Sequence, residues 1–208
     1  MTRIAIIDYG LANIRSVANA IECFNIELII AKTGIDLKKV DKIVLPGVGS
    51  FDAGMKGIKN RGHADALHDF VIENKKPFLG ICLGLQFLFE GSEEGEQSGL
   101  GWIPGICKRF PSGLDKPKVP HIGWNDIEIV MKDSRFFFEL KPPMTFYFVH
   151  SYYAPYENVT KDFTAATCNY GIDFTAAIEK DNIFATQFHP EKSQLAGMKL
   201  LETFLEKL

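Results

Sequence analysis

The segment of this 208-residue chain best suited to covalent chemistry is Gly80-Ile81-Cys82-Leu83-Gly84-Leu85-Gln86, a cysteine set between two glycines. It follows the apolar strand run Pro77-Phe78-Leu79 and precedes the helix-like run Leu83–Glu90. A nucleophile on a sharp strand-to-helix turn needs small neighbours, because any Cβ there would clash in the tight backbone. Such a turn lifts the side chain above the sheet. It also aims the following N–H groups, and the positive end of a helix, at whatever the sulfur attacks. Both features favour thiolate and begin an oxyanion site.

A thiol nucleophile needs a base within hydrogen-bond reach, and the base needs an orienting acceptor. Phe188-His189-Pro190-Glu191, directly after the strand-like run Ile183–Gln187, supplies both. His189 and Glu191 lie two residues apart at a strand end, so both can project to one side. Pro190 fixes φ between them. His189 would take the thiol proton and return it to the leaving group, while Glu191 would hold the imidazole tautomer. A His-Pro-Glu tripeptide alone would more often be a surface turn; the cysteine elbow gives it meaning. Pro46-Gly47-Val48-Gly49-Ser50-Phe51 ends another strand, where loops at carboxyl ends converge on a ligand crevice. Taken alone it is a tight turn that glycine would serve in any case.

The other candidates are weaker. His63 and His68 lie on a helical run and are expected at the surface. His121, in Pro120-His121-Ile122-Gly123-Trp124-Asn125, and His150, in Phe148-Val149-His150-Ser151-Tyr152, stand among aromatics and could either pack or touch a ligand. Cys23, Cys107 and Cys168 are expected to pack, Phe136-Phe137-Phe138 to plug the core, and Glu93-Glu94-Gly95-Glu96 to form a solvated loop near the elbow.

The elements that must position these groups alternate. Arg3–Asp8, Glu27–Ala31, Lys42–Leu45 and Pro77–Ile81 read as buried strands. Asn13–Phe24 and Ala53–Asn74 carry helical spacing between them. This is the signature of βαβ units and a mainly parallel sheet. Beyond Gly91 the pattern changes. Residues 92–105 read as loop, and Ile127–Met131, Thr145–Tyr153, Thr164–Tyr170, Phe174–Glu179 and Ile183–Gln187 read as added antiparallel strands. Leu195–Leu208 reads as an amphipathic closing helix. The expected fold class is therefore α/β, a mainly parallel central sheet flanked by helices, in a single domain spanning 1–208.

A net charge of −3 and 46% apolar residues indicate an ordinary soluble chain with no basic excess for nucleic acid. The longest apolar stretch, 77–89, is too short to span a bilayer. The four cysteines have neither metal-type spacing nor disulfide-scaffold density, so no metal is expected and a reducing cytoplasm fits.

With the elbow, the His-Pro-Glu turn and the Gly-rich turn together, the chain resembles the class I (triad) glutamine amidotransferases, whose fold is flavodoxin-like. Within them it is similar to the glutaminase subunits of imidazole glycerol phosphate synthases. Matching segments include Ile7-Asp8-Tyr9-Gly10-Leu11-Ala12-Asn13, Ser92-Glu93-Glu94, His121-Ile122-Gly123-Trp124-Asn125 and Gln187-Phe188-His189-Pro190-Glu191-Lys192-Ser193. The resemblance implies a catalytic triad of Cys82, His189 and Glu191 and a γ-glutamyl thioester. It implies an oxyanion hole from Leu83 with the Val48 and Gly49 turn, and glutamine binding by Gly47, Gly49, Gln86, Glu94, His150, Ser151 and Tyr152. No cofactor is implied. Asn13, Trp124, Tyr147 and Lys192 match positions facing a (β/α)8-barrel cyclase subunit, which would receive the ammonia in histidine biosynthesis. The Val48 N–H would point correctly only in the assembled complex. Two alternatives remain open at this point: a paralogue feeding ammonia to another synthase, such as one amidating a sugar for surface polysaccharide, and a non-enzymatic stress sensor with an elbow cysteine.

Overall fold

The computed structural model describes residues 1–11 and 13–208; Ala12, within the N-terminal matching segment, lies outside the described residues. Strands β1 (Arg3–Ile7), β2 (Glu27–Ala31), β3 (Lys42–Gly47) and β4 (Phe78–Cys82) alternate with helices α1 (Ile14–Ile21), α2 (Phe51–Asn60) and α3 (His63–His68). The elbow opens a four-residue helix α4 (Leu83–Gln86). After it come β5 (Gly91–Ser92), β6 (Ile106–Arg109), β7 (His121–Asp126), β8 (Glu128–Ile129), β9 (Thr145–His150) and β10 (Tyr152–Pro155). The chain finishes with α5 (Asn158–Lys161), β11 (Thr164–Asn169), β12 (Asp173–Lys180), β13 (Ile183–Thr186) and α6 (Gln194–Glu202).

The main sheet runs β2-β1-β3-β4-β13-β12-β10-β6-β5. Its first five strands pair in parallel, and β12, β10 and β6 continue it antiparallel. Neighbouring side chains on a strand point to opposite faces. Accordingly Ile4 and Ile6 enter one core with Val17, Phe184 and Phe204, while Ala5 and Ile7 enter the other with Met55 and Leu67. Each fully buried phenylalanine, Phe148 and Phe188 among them, contributes about 1.5–3 kcal/mol of transfer free energy. A separate two-stranded ribbon, β7 with β9, stands beside the sheet with His121 opposite His150.

The expected parallel half and antiparallel extension are both present, with several corrections. The 53–74 helix divides at Gly62, which takes a left-handed φ of 68°, and α3 ends in a wider turn over Asp69–Glu73. The run Leu83–Glu90 is helical only to Gln86, because Leu100, Trp102 and Ile103 donate to the carbonyls of Phe87 and Leu88. Thr145–Tyr153 is two strands in two sheets, parted at Ser151. The strands β6 and β7 were not anticipated.

Three side chains also differ from expectation. His63 is fully buried, since it opens α3 against the end of β1, with Nε2 3.2 Å from the Asp8 carbonyl. Cys23 is exposed because α1 stops at Ile21 and leaves it in the following turn. Phe136 and Phe137 fill the core, but Phe138 is 60% exposed.

Candidate active site

The parallel register determines which residues meet at the sheet's carboxyl edge. Gly47 of β3 lies beside Cys82 of β4, and Ile81 lies beside Thr186 of β13. Residues just past β13 therefore reach the elbow although about a hundred positions separate them in the chain. The Gln187 side-chain amide donates toward Cys82 Sγ at 3.7 Å. The elbow depends on its glycines: a Cβ on Gly84 would stand 2.0 Å from the Leu45 carbonyl oxygen. Cys82 itself takes φ 55°, a region costly for a non-glycine residue and characteristic of functional turns.

His189 is held by backbone as well as by its partner carboxylate. Its N–H donates to the Tyr147 carbonyl at 2.9 Å, tying the turn to β9. Ser193 Oγ donates to the His189 carbonyl at 2.6 Å and accepts from the Tyr147 N–H. The Pro190 carbonyl oxygen lies so close to α6 that a Cβ on Gly197 would stand 1.9 Å away. Within this frame His189 Nδ1 meets Glu191 Oε1 at 2.8 Å, both side chains almost wholly buried. Nδ1 is thereby committed, and Nε2 is left for the sulfur; it is buried without a hydrogen-bond partner among the described residues. Burial opposes charge on this imidazole, but the neighbouring Cys82 thiolate and the Glu191 carboxylate outweigh it and push its pKa up to about 10.

A cavity of about 300 Å³ opens over the elbow. Its walls include Val48, Gly49, Leu83, Gln86, Glu94 and the segment His150-Ser151-Tyr152, while Gly47 lies buried beneath it. Glu94 is less solvated than a free acidic loop would be: its carboxylate accepts the Phe51 N–H at 2.8 Å, at the start of α2. Burial raises its pKa, the Phe51 N–H opposing. Gln86 donates to the Tyr152 carbonyl at 2.9 Å and to Gln187 Oε1 at 3.1 Å. His150 Nδ1 lies 2.8 Å from the same Tyr152 carbonyl. Four positions matching the partner face fall outside the cavity. Asn13 is exposed at the start of α1, Trp124 is 48% exposed on β7 edge-on to Tyr147, and the Lys192 ammonium sits 5.8 Å from the Tyr147 ring centre.

Sequence reasoning missed Gln187 and Ser193 as positioning groups, and Tyr9. The Tyr9 hydroxyl is buried, without a hydrogen bond among the described residues. Burial and the Cys82 charge raise its pKa. The signal for Gln187 was available: it immediately precedes Phe188-His189 at a strand end. Among the described residues no group of His, Cys, Asp and Glu could hold a metal ion, and no helix is long and apolar enough to cross a membrane.

A cysteine on a strained strand-to-helix turn, a carboxylate-held histidine and a lined cleft thus share one edge of the sheet. The chain belongs to the class-I glutamine amidotransferases, whose family model, "Glutamine amidotransferase class-I", matches residues 5–208. Within that family it is 48% identical over 202 residues to "Imidazole glycerol phosphate synthase subunit HisH 1" of Campylobacter jejuni strain 81-176, covering 97% of this chain and 98% of that protein. It is 45% identical over 211 residues to "Imidazole glycerol phosphate synthase subunit HisH" of Microcystis aeruginosa, covering 100% and 97%. The structure of PurLQS from Thermotoga maritima, 21% identical, superposes with a TM-score of 0.73 over 98% of this chain and 97% of that chain, and so shares the fold.

Proposed function

We propose that this chain is the glutaminase subunit of an imidazole glycerol phosphate synthase, acting as a single glutamine amidotransferase domain in histidine biosynthesis. The observation that carries the reading is the His189–Glu191 pair, buried at 2.8 Å, with Nε2 left for Cys82. The near full-length similarity to HisH subunits selects the synthase.

In this reading the Cys82 thiolate attacks the side-chain amide carbon of glutamine. The oxyanion is met by the Leu83 N–H, with a second donor from the Val48-Gly49 turn; one such donor is worth about 3 kcal/mol of barrier. His189 gives its Nε2 proton to the amide nitrogen, the C–N bond breaks, and ammonia leaves a γ-glutamyl thioester. His189 then takes a proton from water, which attacks the thioester and releases glutamate and the free thiolate. Glu191 keeps Nδ1 protonated throughout. Glu94, Gln86 and the His150-Ser151-Tyr152 segment hold the amino-acid head of the substrate.

Ammonia passes to a (β/α)8-barrel cyclase subunit docked over Asn13, Trp124, Tyr147 and Lys192, where imidazole glycerol phosphate and an aminoimidazole carboxamide ribotide form. The Val48-Gly49 turn reorients to present its amide when the cyclase subunit docks. Four free thiols fit a cytoplasmic site of action. Mixed with the barrel subunit, Cys82→Ser is expected to lose glutamine-dependent cyclisation while keeping ammonia-dependent cyclisation. Retained glutamine-dependent turnover would remove Cys82 from the mechanism.

A further inference from the structure

A continuous line of hydrogen bonds runs from the ribbon strand β7 to the nucleophile. His150 Nδ1 faces a carbonyl, that of Tyr152 at 2.8 Å, so Nδ1 must carry the proton. A neutral His150 then has a bare Nε2, and its partner at 3.1 Å, His121 Nδ1, must donate to it. Beyond Tyr152 the line continues through Gln86, which donates to the same carbonyl and to Gln187 Oε1, and Gln187 donates toward Cys82 Sγ. His121 is the far anchor of this line. It is 2% exposed, with its ring stacked between Tyr170 at 3.9 Å and Phe148 at 4.8 Å.

We propose that His121 is a positioning residue of the glutamine site: as an Nδ1–H donor locked between two aromatic rings, it fixes His150, and through it the Tyr152 carbonyl and the Gln86–Gln187 amides beside Cys82. The proposal rests on the glutaminase reading for its kinetic consequence, but not for the hydrogen-bond line itself. The groups around the two imidazoles keep them neutral. His121 meets Phe110, Phe148, Tyr170 and Phe174; His150 meets Phe110, Phe148 and Phe174, and the charges of His121 and His189 both oppose its protonation. Burial lowers His121 to about 4 and His150 to about 3. The line also joins the site to the strand that carries exposed Ile122 and Trp124, so a partner seated there would press on its anchor.

Two measurements test it. In the 15N-histidine NMR spectrum at pH 6.5, both His121 and His150 are expected as neutral Nδ1–H tautomers. In glutaminase assays with the cyclase subunit, His121→Phe, which keeps a ring and loses the donor, is expected to raise the glutamine KM about tenfold with kcat changed less than about twofold, as fits loss of one buried hydrogen bond. His121→Asn, whose amide can donate from the Nδ1 position, is expected to stay within about threefold of wild type. An Nε2–H tautomer or a protonated ring at either position overturns the line. Wild-type kinetics in His121→Phe, or equal losses in both variants, overturn the positioning role. Correct tautomers in a wild-type chain that does not hydrolyse glutamine overturn the glutaminase reading instead.

Discussion

At the scale of single residues, the chemistry turns on an imidazole whose two nitrogens have different duties. Glu191 holds Nδ1 of His189, and Nε2 is buried without a partner among the described residues, within the electrostatic reach of Cys82. Because the pKa of His189 is raised, the protonated form dominates below about 10 and is lost only as pH rises past that value. His189 is therefore expected to be doubly protonated at pH 8 in the resting enzyme, as read by 15N chemical shifts. The charge of Cys82 supports that proton. Cys82→Ser should accordingly lower the titration midpoint of His189, and an unchanged midpoint would separate the two residues electrostatically. The cysteine elbow and the His189–Glu191 contact were legible in the sequence because two motifs each bring their own geometry: glycines around a cysteine, and a proline between a histidine and its carboxylate. Gln187, Ser193 and Tyr9 were not, because their roles arise from partners that only the register brings close. His63 misled for a related reason. A helix's first residue can turn inward when a strand end, here the Asp8 carbonyl, waits beneath it.

At the scale of elements, the site is a consequence of how β3, β4 and β13 lie together. Leu45 to Gly47 and Gly80 to Gly84 approach so closely that side chains are excluded between them. Gly84→Ala would set a Cβ 2.0 Å from the Leu45 carbonyl oxygen, so β3 and the elbow must separate. The expected loss in unfolding free energy is more than about 2 kcal/mol by urea titration. Gly91→Ala meets only the Ile106 side chain at 3.6 Å and should change stability by less than about 1 kcal/mol. Equal effects at the two positions would remove the steric account of the elbow. Element types in the parallel half could be read from apolar runs, since buried parallel strands have no competing pattern. The antiparallel half was less legible. β7 buries His121 but leaves Ile122 and Trp124 exposed, so its exposed apolar residues disguise it as a loop motif. Thr145–Tyr153 looked like one strand because nothing in its composition marks the change of sheet at Ser151.

At the scale of the whole molecule, the fold divides its labour. Five parallel strands bring Cys82, the Gly-rich turn and the segment leading to His189 to one edge. The ribbon β7–β9 closes the cleft and turns Trp124 and Tyr147 outward beside Lys192. That arrangement places the proposed partner face on the ribbon whose β9 strand also lines the cavity through Val149 and His150. All of it depends on Cys82 being the single thiol that glutamine reaches, while Cys107 and Cys168 lie buried and Cys23 sits exposed outside the cleft. The most direct measurement is mass spectrometry after incubation with a glutamine-mimicking diazoketone, in the presence of the cyclase subunit. One adduct, on Cys82 and suppressed by excess glutamine, is the predicted result. Labelling of Cys23 at an equal rate, or an unmodified Cys82, would contradict it.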